Sequence, residues 1–170
     1  MPYRQTHARA VLIGAGLLAS AVATPVGADT KPKLAVFDFQ LANLAQLPPT
    51  QADKDRLPRI SDLLRKQLAD SGRFVIVPVT DKVKQEVAKA APLRDCGGCA
   101  VDFAKELGAD VAVTGEVQKV SDLILNINVY MKKVGSTDAE TATSVDIRGD
   151  NDDSFNHGVK YLVKNNILKE

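Results

Sequence analysis

Leu123-Ile124-Leu125-Asn126-Ile127-Asn128-Val129-Tyr130-Met131-Lys132 is the stretch whose reading decides the fold. Leu123, Leu125, Ile127, Val129 and Met131 fall on every second position, and the residues between them are mostly polar or amphipathic. Side chains of a strand alternate between faces, so this period of two predicts a strand with one face buried and one wet. Ser121-Asp122 before it and Gly135-Ser136-Thr137 after it supply turns. Two further strands are therefore predicted beside it, Asp110 to Lys119 and Glu140 to Arg148. The last is the most polar of the three and belongs near an edge.

The period changes on the N-terminal side. Lys33 to Phe39 (KLAVFDF) is rich in β-formers and reads as a buried first strand, with Asp38 facing solvent. Gln40 to Asp53, with Pro48 and Pro49, reads as a loop that ends in a helix start. Ile60, Leu63, Leu64 and Leu68 then mark one face of a helix from Pro58 to Asp70, with Pro58 in its first turn and Gly72 ending it. Arg73 to Val77 is a short strand. Thr80 caps a helix that buries Val83 and Val87 and stops before Pro92. A Cys96-Gly97-Gly98-Cys99 turn opens into a helix with Ala100, Phe103, Ala104 and Leu107 on one face, terminated by Gly108. At the C-terminal end, Asp152, Asp153 or Ser154 caps a helix with Phe155, Val159, Leu162, Val163 and Ile167 on one side. The predicted order is β-α-β-α-α-β-β-β-α, an α/β (α+β) domain with a single mixed sheet carrying helices on at least one face.

Residues 1 to 28 set the compartment. Arg4 and Arg9 precede an apolar run from Ala10 to Ala23, then Thr24-Pro25 and the small-residue site Val26-Gly27-Ala28. That order is the pattern of a cleaved secretory signal peptide, with cleavage after Ala28 and a domain from 29 to 170. The run is shorter than the roughly 20 apolar residues of a bilayer span, and an uncleaved anchor is the alternative. No Cys follows the cleavage site, which argues against a lipid anchor. The leader holds two of the 22 basic residues and none of the 21 acidic ones, which leaves 20 against 21 in the domain. A near-neutral exterior argues against nucleic-acid binding and against a polybasic membrane surface. No later apolar run is long enough for a transmembrane segment.

Cys96 and Cys99 are the two cysteines. In an oxidising compartment their default state is a disulfide that pins the loop to the helix start. A redox pair is the alternative, with Cys96 as nucleophile activated by the helix end and Cys99 as its resolving partner. Asp95 opposes thiolate formation, and no aromatic precedes Cys96. Ala100 stands where a haem-attachment motif needs His, and zinc would need more ligands than His157 adds. Asp146, Asp150, Asp152 and Asp153 form an oxygen-rich cluster. It lacks EF-hand spacing and reads as a turn and a helix cap, although a cation there stays open. No phosphate loop, nucleophile elbow or zinc-protease motif is present, so no cofactor, metal or catalytic residue is assigned.

Four segments together resemble a known family. Leu34 to Phe39 (LAVFDF) is similar to its opening strand. Ile60 to Leu68 with Gly72-Arg73-Phe74-Val75-Ile76-Val77 resembles its helix and second strand. Glu106 to Val117 (ELGADVAVTGEV) resembles the following helix end and strand, and Leu125 to Tyr130 fits the next one. The family is that of the TolB N-terminal domain and the wider TolB-like, CsgG-like and flagellar assembly-associated exported proteins. More narrowly, the chain resembles small proteobacterial secreted proteins of unknown function that carry a Cys-x-x-Cys before this helix. The resemblance covers nearly all of Lys33 to Leu168. It implies a fold, a periplasmic setting and a partner-binding or assembly role, with no catalytic residues to carry over.

The expected function is thus a periplasmic, non-enzymatic module that binds another envelope protein or self-associates, docking near the Glu140 to Arg148 edge. A thiol-disulfide oxidoreductase at Cys96 and Cys99 is the alternative. A small-ligand carrier would require a deep apolar pocket.

Overall fold

A computed structural model describes Met1, residues 30–45 and residues 48–169. The expected leader after Met1, with its cleavage site, lies outside the described residues. The described chain forms one open, mixed six-stranded sheet and four α-helices. Strands β1 (Lys33–Val36), β2 (Gln40–Asn43) and β3 (Val75–Val77) precede β4 (Val111–Lys119), β5 (Ile124–Lys133) and β6 (Thr141–Arg148). Helices α1 (Gln51–Asp70), α2 (Asp81–Lys89), α3 (Cys99–Glu106) and α4 (Asp152–Leu162) complete the order, with a π-helical turn at Val163–Ile167. The sheet runs β3-β1-β4-β5-β6. β1 pairs parallel with β3 and β4, whereas β4, β5 and β6 pair antiparallel.

Two segments depart from the sequence expectation. The predicted first strand stops at Val36, and the predicted loop contains β2. Both β1 and β2 lie against β4, β1 along Val111 to Val113 and β2 along Glu116 to Lys119. Between them, Phe37, Asp38 and Phe39 span only Thr114 and Gly115, so one extra residue bulges out. Helix α1 takes up the groups that the bulge frees. The Arg65 guanidinium donates to the Val36 carbonyl from Nε at 3.1 Å and Nη2 at 2.9 Å. The Ser61 hydroxyl accepts from the Phe39 amide at 2.8 Å and donates to the Leu57 carbonyl at 2.7 Å. A bulge of this kind leaves no mark in a periodicity.

Helix α1 also begins earlier than predicted. Thr50 and Asp53 form a reciprocal capping box, and Pro58 sits two turns inside the helix. Pro58 cannot donate to the Lys54 carbonyl. Both residues are exposed, so water is at hand for the freed group. At the other end of the chain, Asn151 caps α4 by accepting from the Ser154 amide at 2.9 Å, in place of the predicted Asp152, Asp153 or Ser154. The helix expected to carry Ile167 on its apolar side widens into the π turn, where the Leu168 amide donates to the Val163 carbonyl at 2.9 Å.

Helices cover both faces. On one, α1 and α4 pack Ile60, Leu64, Leu68, Phe155, Val159 and Leu162 against Leu34, Val36, Val113, Val117, Leu125 and Ile127. On the other, α2 and α3 bring Val83, Ala100 and Ala104 onto Ala35, Phe37 and Ala112. Phe37 and Phe103 meet edge to face there, with ring centroids 6.4 Å apart. α2 and α3 shelter the parallel half of the sheet. The same face of β5 and β6, with Asn126, Tyr130, Ala142, Ser144 and Asp146, stays open.

The Phe39 ring lies flat on Gly115. A Cβ added at Gly115 would stand 2.4 Å from Phe39 Cδ1. Gly115→Ala is expected to lower stability by about 1–3 kcal/mol, the usual cost of overpacking. Combined with Phe39→Ala, the two losses should add to less than their sum, which urea denaturation of the four proteins of the cycle measures.

Candidate functional site

The Cys-x-x-Cys turn and the open sheet face adjoin each other. Gly97 and Gly98 adopt left-handed conformations, with φ of 67° and 107°, and Gly98 is the residue that precedes α3. No side chain caps the helix there. The Cys96 and Cys99 sulfurs stand at bonding distance, 1.97 Å, with Cα atoms 5.6 Å apart. Upstream, the Leu93 amide donates to Gln40 Oε1 at 2.7 Å and ties this loop to β2. Arg94 reaches across to the sheet. Its guanidinium lies over the Tyr130 ring at 3.4 Å and donates to both Glu140 carboxylate oxygens at 2.9 and 2.8 Å. Burial raises the Tyr130 hydroxyl pKa, and the Glu116 carboxylate adds to the shift. A cavity of about 300 Å³ opens between the loop, the start of α3 and the sheet.

The predicted edge is an edge. Among the described residues, β6 pairs only with β5. The Gly149 amide donates to the Leu123 carbonyl, which fixes the alternation along the strand. Val145 and Ile147 direct their backbone groups to β5, and Ala142, Ser144, Asp146 and Arg148 direct theirs outward. Two outward carbonyls have side-chain partners, Arg148 with the Ser154 hydroxyl at 2.7 Å and Ser144 with Asn166 Nδ2 at 3.4 Å.

The aspartate cluster does not gather into one site. Asp146 accepts from Asn126 Nδ2 at 2.8 Å on the open face. Asp150 and Asp152 instead join an ionic network that is buried at its centre, with Asp152 on its exposed rim. Lys119, 5% exposed, donates to both oxygens of Asp53 at 3.0 and 3.1 Å and to Asp150 at 2.6 Å. Arg56, 6% exposed, pairs with Asp150 and with Asp152 and lies over the Phe155 ring at 4.7 Å. Arg59 adds a second partner for Asp152 at 3.0 Å. Among the described residues, no group of three or more His, Cys, Asp or Glu could hold a metal ion. His157 is exposed on α4, where the sequence put it.

Sequence reasoning missed Arg94 and Thr114 at the cavity, Tyr130 beneath Arg94, and Asp53, Arg56 and Lys119 in the network. Each is an ordinary residue of its local element, and they meet only where α1, the segment before α4 and the loop before α3 pack against the sheet. The Thr50-x-x-Asp53 capping spacing was the one signal in reach.

Residues 32–167 match the profile of the family DUF3280, described as "Protein of unknown function (DUF2380)", and the chain belongs to that family. No curated protein matches the sequence. Among solved structures, the LpoB C-terminal domain from Salmonella enterica is similar at 17% identity, over 71% of this chain and 86% of that one, with a TM-score of 0.46. The hypothetical protein CT253 from Chlamydia trachomatis matches at 13% identity, over 82% and 95%, with a TM-score of 0.46. The PelC dodecamer from Paraburkholderia phytofirmans matches at 12% identity, over 78% and 84%, with a TM-score of 0.45. No helix among the described residues is long and apolar enough to cross a membrane.

Burial alone would push the Asp53 carboxyl up. The Lys119 ammonium and the Thr50 amide and hydroxyl outweigh it and hold the pKa at about 2, against an ordinary 3.8. Asp53 therefore contributes stability that is fully present above about pH 4 and is lost as pH falls through about 2. Denaturant titrations between these limits should show that loss. Lys119→Met leaves the burial of Asp53 unopposed by the ammonium, so its acid transition should move to higher pH. At neutral pH the variant should lose about 3–5 kcal/mol, the usual cost of stranding a buried charge.

Proposed function

We propose that this chain is a non-enzymatic binding or assembly module of the bacterial envelope. In this reading the leader is clipped after Ala28, and the domain from residue 29 to 170 works in the periplasm. It engages another envelope protein or a second copy of itself through the β6 edge. The carrying observation is the outward row of backbone groups at Ala142, Ser144, Asp146 and Arg148, which no strand of the sheet takes up. Strand addition satisfies such a row with main-chain hydrogen bonds and draws specificity from alternate side chains. On the opposite side of the sheet the edges are β3 and β2, only three and four residues long, and they offer less. The signal-like leader and the resemblance to TolB-like and CsgG-like exported domains support the envelope setting.

In this reading the Cys96 and Cys99 pair is a structural bridge. It holds the Gly97-Gly98 turn at the head of α3, where the chain has no side-chain cap of its own. A closed loop of this size contributes about 2 kcal/mol in the chain-entropy account.

Ser144→Pro removes an outward N–H and leaves the β5 ladder intact. The variant should keep its far-UV spectrum and melting temperature yet lose partner capture from envelope extract, or self-association in sedimentation. Capture and association equal to wild type would end the edge reading. Replacing both cysteines by serine should lower stability by no more than about 2 kcal/mol and leave capture intact. Turnover of a disulfide substrate by the reduced wild-type domain would favour the redox alternative.

A further inference from the structure

Helix α4 shows one of its sides to solvent. Asp153, His157, Tyr161 and Lys164 follow one another at spacings of four, four and three, so they share that side, and all four are exposed. Tyr161, at 56% exposure, is the most exposed aromatic side chain among the described residues. His157 and Tyr161 line a groove of about 500 Å³ along β6, together with Val145 and Ile147. Gly158 brings the helix close to the sheet there. A Cβ at that position would stand 2.6 Å from Ile147 Cγ2 and 2.9 Å from Ile127 Cδ1. α4 therefore rides between the two outermost strands, β5 and β6.

The edge beside this helix maps onto itself under a two-fold rotation. Ala142, Ser144, Asp146 and Arg148, whose backbone groups point outward, are placed symmetrically about Val145. Two antiparallel copies of β6 centred there pair Ser144 with Asp146 and Ala142 with Arg148, so every outward amide and carbonyl of the four gains a strand partner. The Ser144 and Arg148 carbonyls keep an acceptor site beside the bonds they take from Asn166 and Ser154. Within β6 no like charges stand directly opposite each other. Asp146 is diagonal to its own counterpart, and Asn126 holds its carboxylate.

The helices follow the same symmetry. α4 runs back along β6 from Ser154, whose hydroxyl meets the Arg148 carbonyl at 2.7 Å. Three strand residues and seven helix residues both cover about 10 Å, which brings Tyr161 level with Val145. A strand spacing of about 4.8 Å then sets the two α4 helices about 10 Å apart, a distance at which helices pack. In that antiparallel pair Tyr161 faces its counterpart. Asp153 near the start of each helix faces toward Lys164 beyond the end of the other.

We infer that two copies of this chain pair β6 to β6 about a two-fold axis at Val145, joining two six-stranded sheets into one and packing α4 against α4. The inference rests on the β6 edge as the docking strand and commits its occupant to a second copy. The charge order along α4 carries that choice, since a stripe that runs from acid to base complements itself when reversed.

Sedimentation of the purified protein at micromolar concentrations should show a dimer. Directly opposed residues of a non-hydrogen-bonded pair have Cα atoms about 4.5 Å apart, within disulfide reach. Val145→Cys should therefore be trapped as a covalent dimer by mild oxidation. Thr143→Cys should not, because its two copies stand about 14 Å apart in this register. Tyr161→Ala should weaken association at least about tenfold and keep the far-UV spectrum of wild type. The inference fails if the protein stays monomeric, if Val145→Cys does not cross-link within a dimer, or if Tyr161→Ala associates as tightly as wild type. A monomer that captures an envelope protein, and loses it with Ser144→Pro, keeps the edge reading and ends only this one. A dimer that Ser144→Pro leaves unchanged ends both.

Discussion

The contact between the Phe39 ring and the bare backbone of Gly115 governs how this sheet is put together. β4 is its central strand and receives two short parallel segments on one side, β1 and then β2. A chain running straight from β1 to β2 would keep one register throughout. The bulge at Phe37 to Phe39 shifts β2 by one residue and turns Phe39 toward the core under α1 and α4. That ring needs the volume a side chain at position 115 would fill. Ser61 and Arg65 of α1 bond the backbone groups freed by the break, so helix and bulge hold each other in place.

A second constraint acts at the far end of β4. Lys119 is the last residue of that strand, and Asp53 lies in the first turn of α1. Asp150 sits just before α4. Their ion pairs join three elements distant in sequence around charges removed from water. Such a network is worth little in net stability when intact, and it strongly disfavours any arrangement that separates its members. It therefore specifies how α1 and α4 meet the sheet. It also accounts for Asp150 and Asp152, whose carboxylates are occupied by Arg56, Arg59 and Lys119.

The sheet is unequal across its width. α2 and α3 cover the parallel half with small residues, Ala35, Ala100, Ala104 and Ala112, which let helix and strand approach closely. Beyond β4 that layer ends, and β5 and β6 show a polar face to solvent. The Cys-x-x-Cys loop stands at the boundary and reaches the open half through Arg94. The edge, the open face and the cavity all lie on this side, which concentrates the surface available for recognition in one half of the domain.

Apart from β2, strand and helix identities were legible because each depends on a local period. Leu123 to Lys132, the α2 cap at Thr80 and the polar edge strand at Glu140 to Arg148 needed no tertiary information. Other features rest on contacts between residues far apart in sequence, and a periodicity cannot record them. The sequence put strand residues through Phe39, but α1 and Gly115 decide that the strand breaks at Val36 and resumes at Gln40. An aspartate cluster was visible at Asp146 to Asp153, while its partners Arg56 and Lys119 are supplied by other elements. Thr114 looks like any β-branched strand residue until β4 is paired and α3 laid beside it, and only then does its hydroxyl stand buried without a partner.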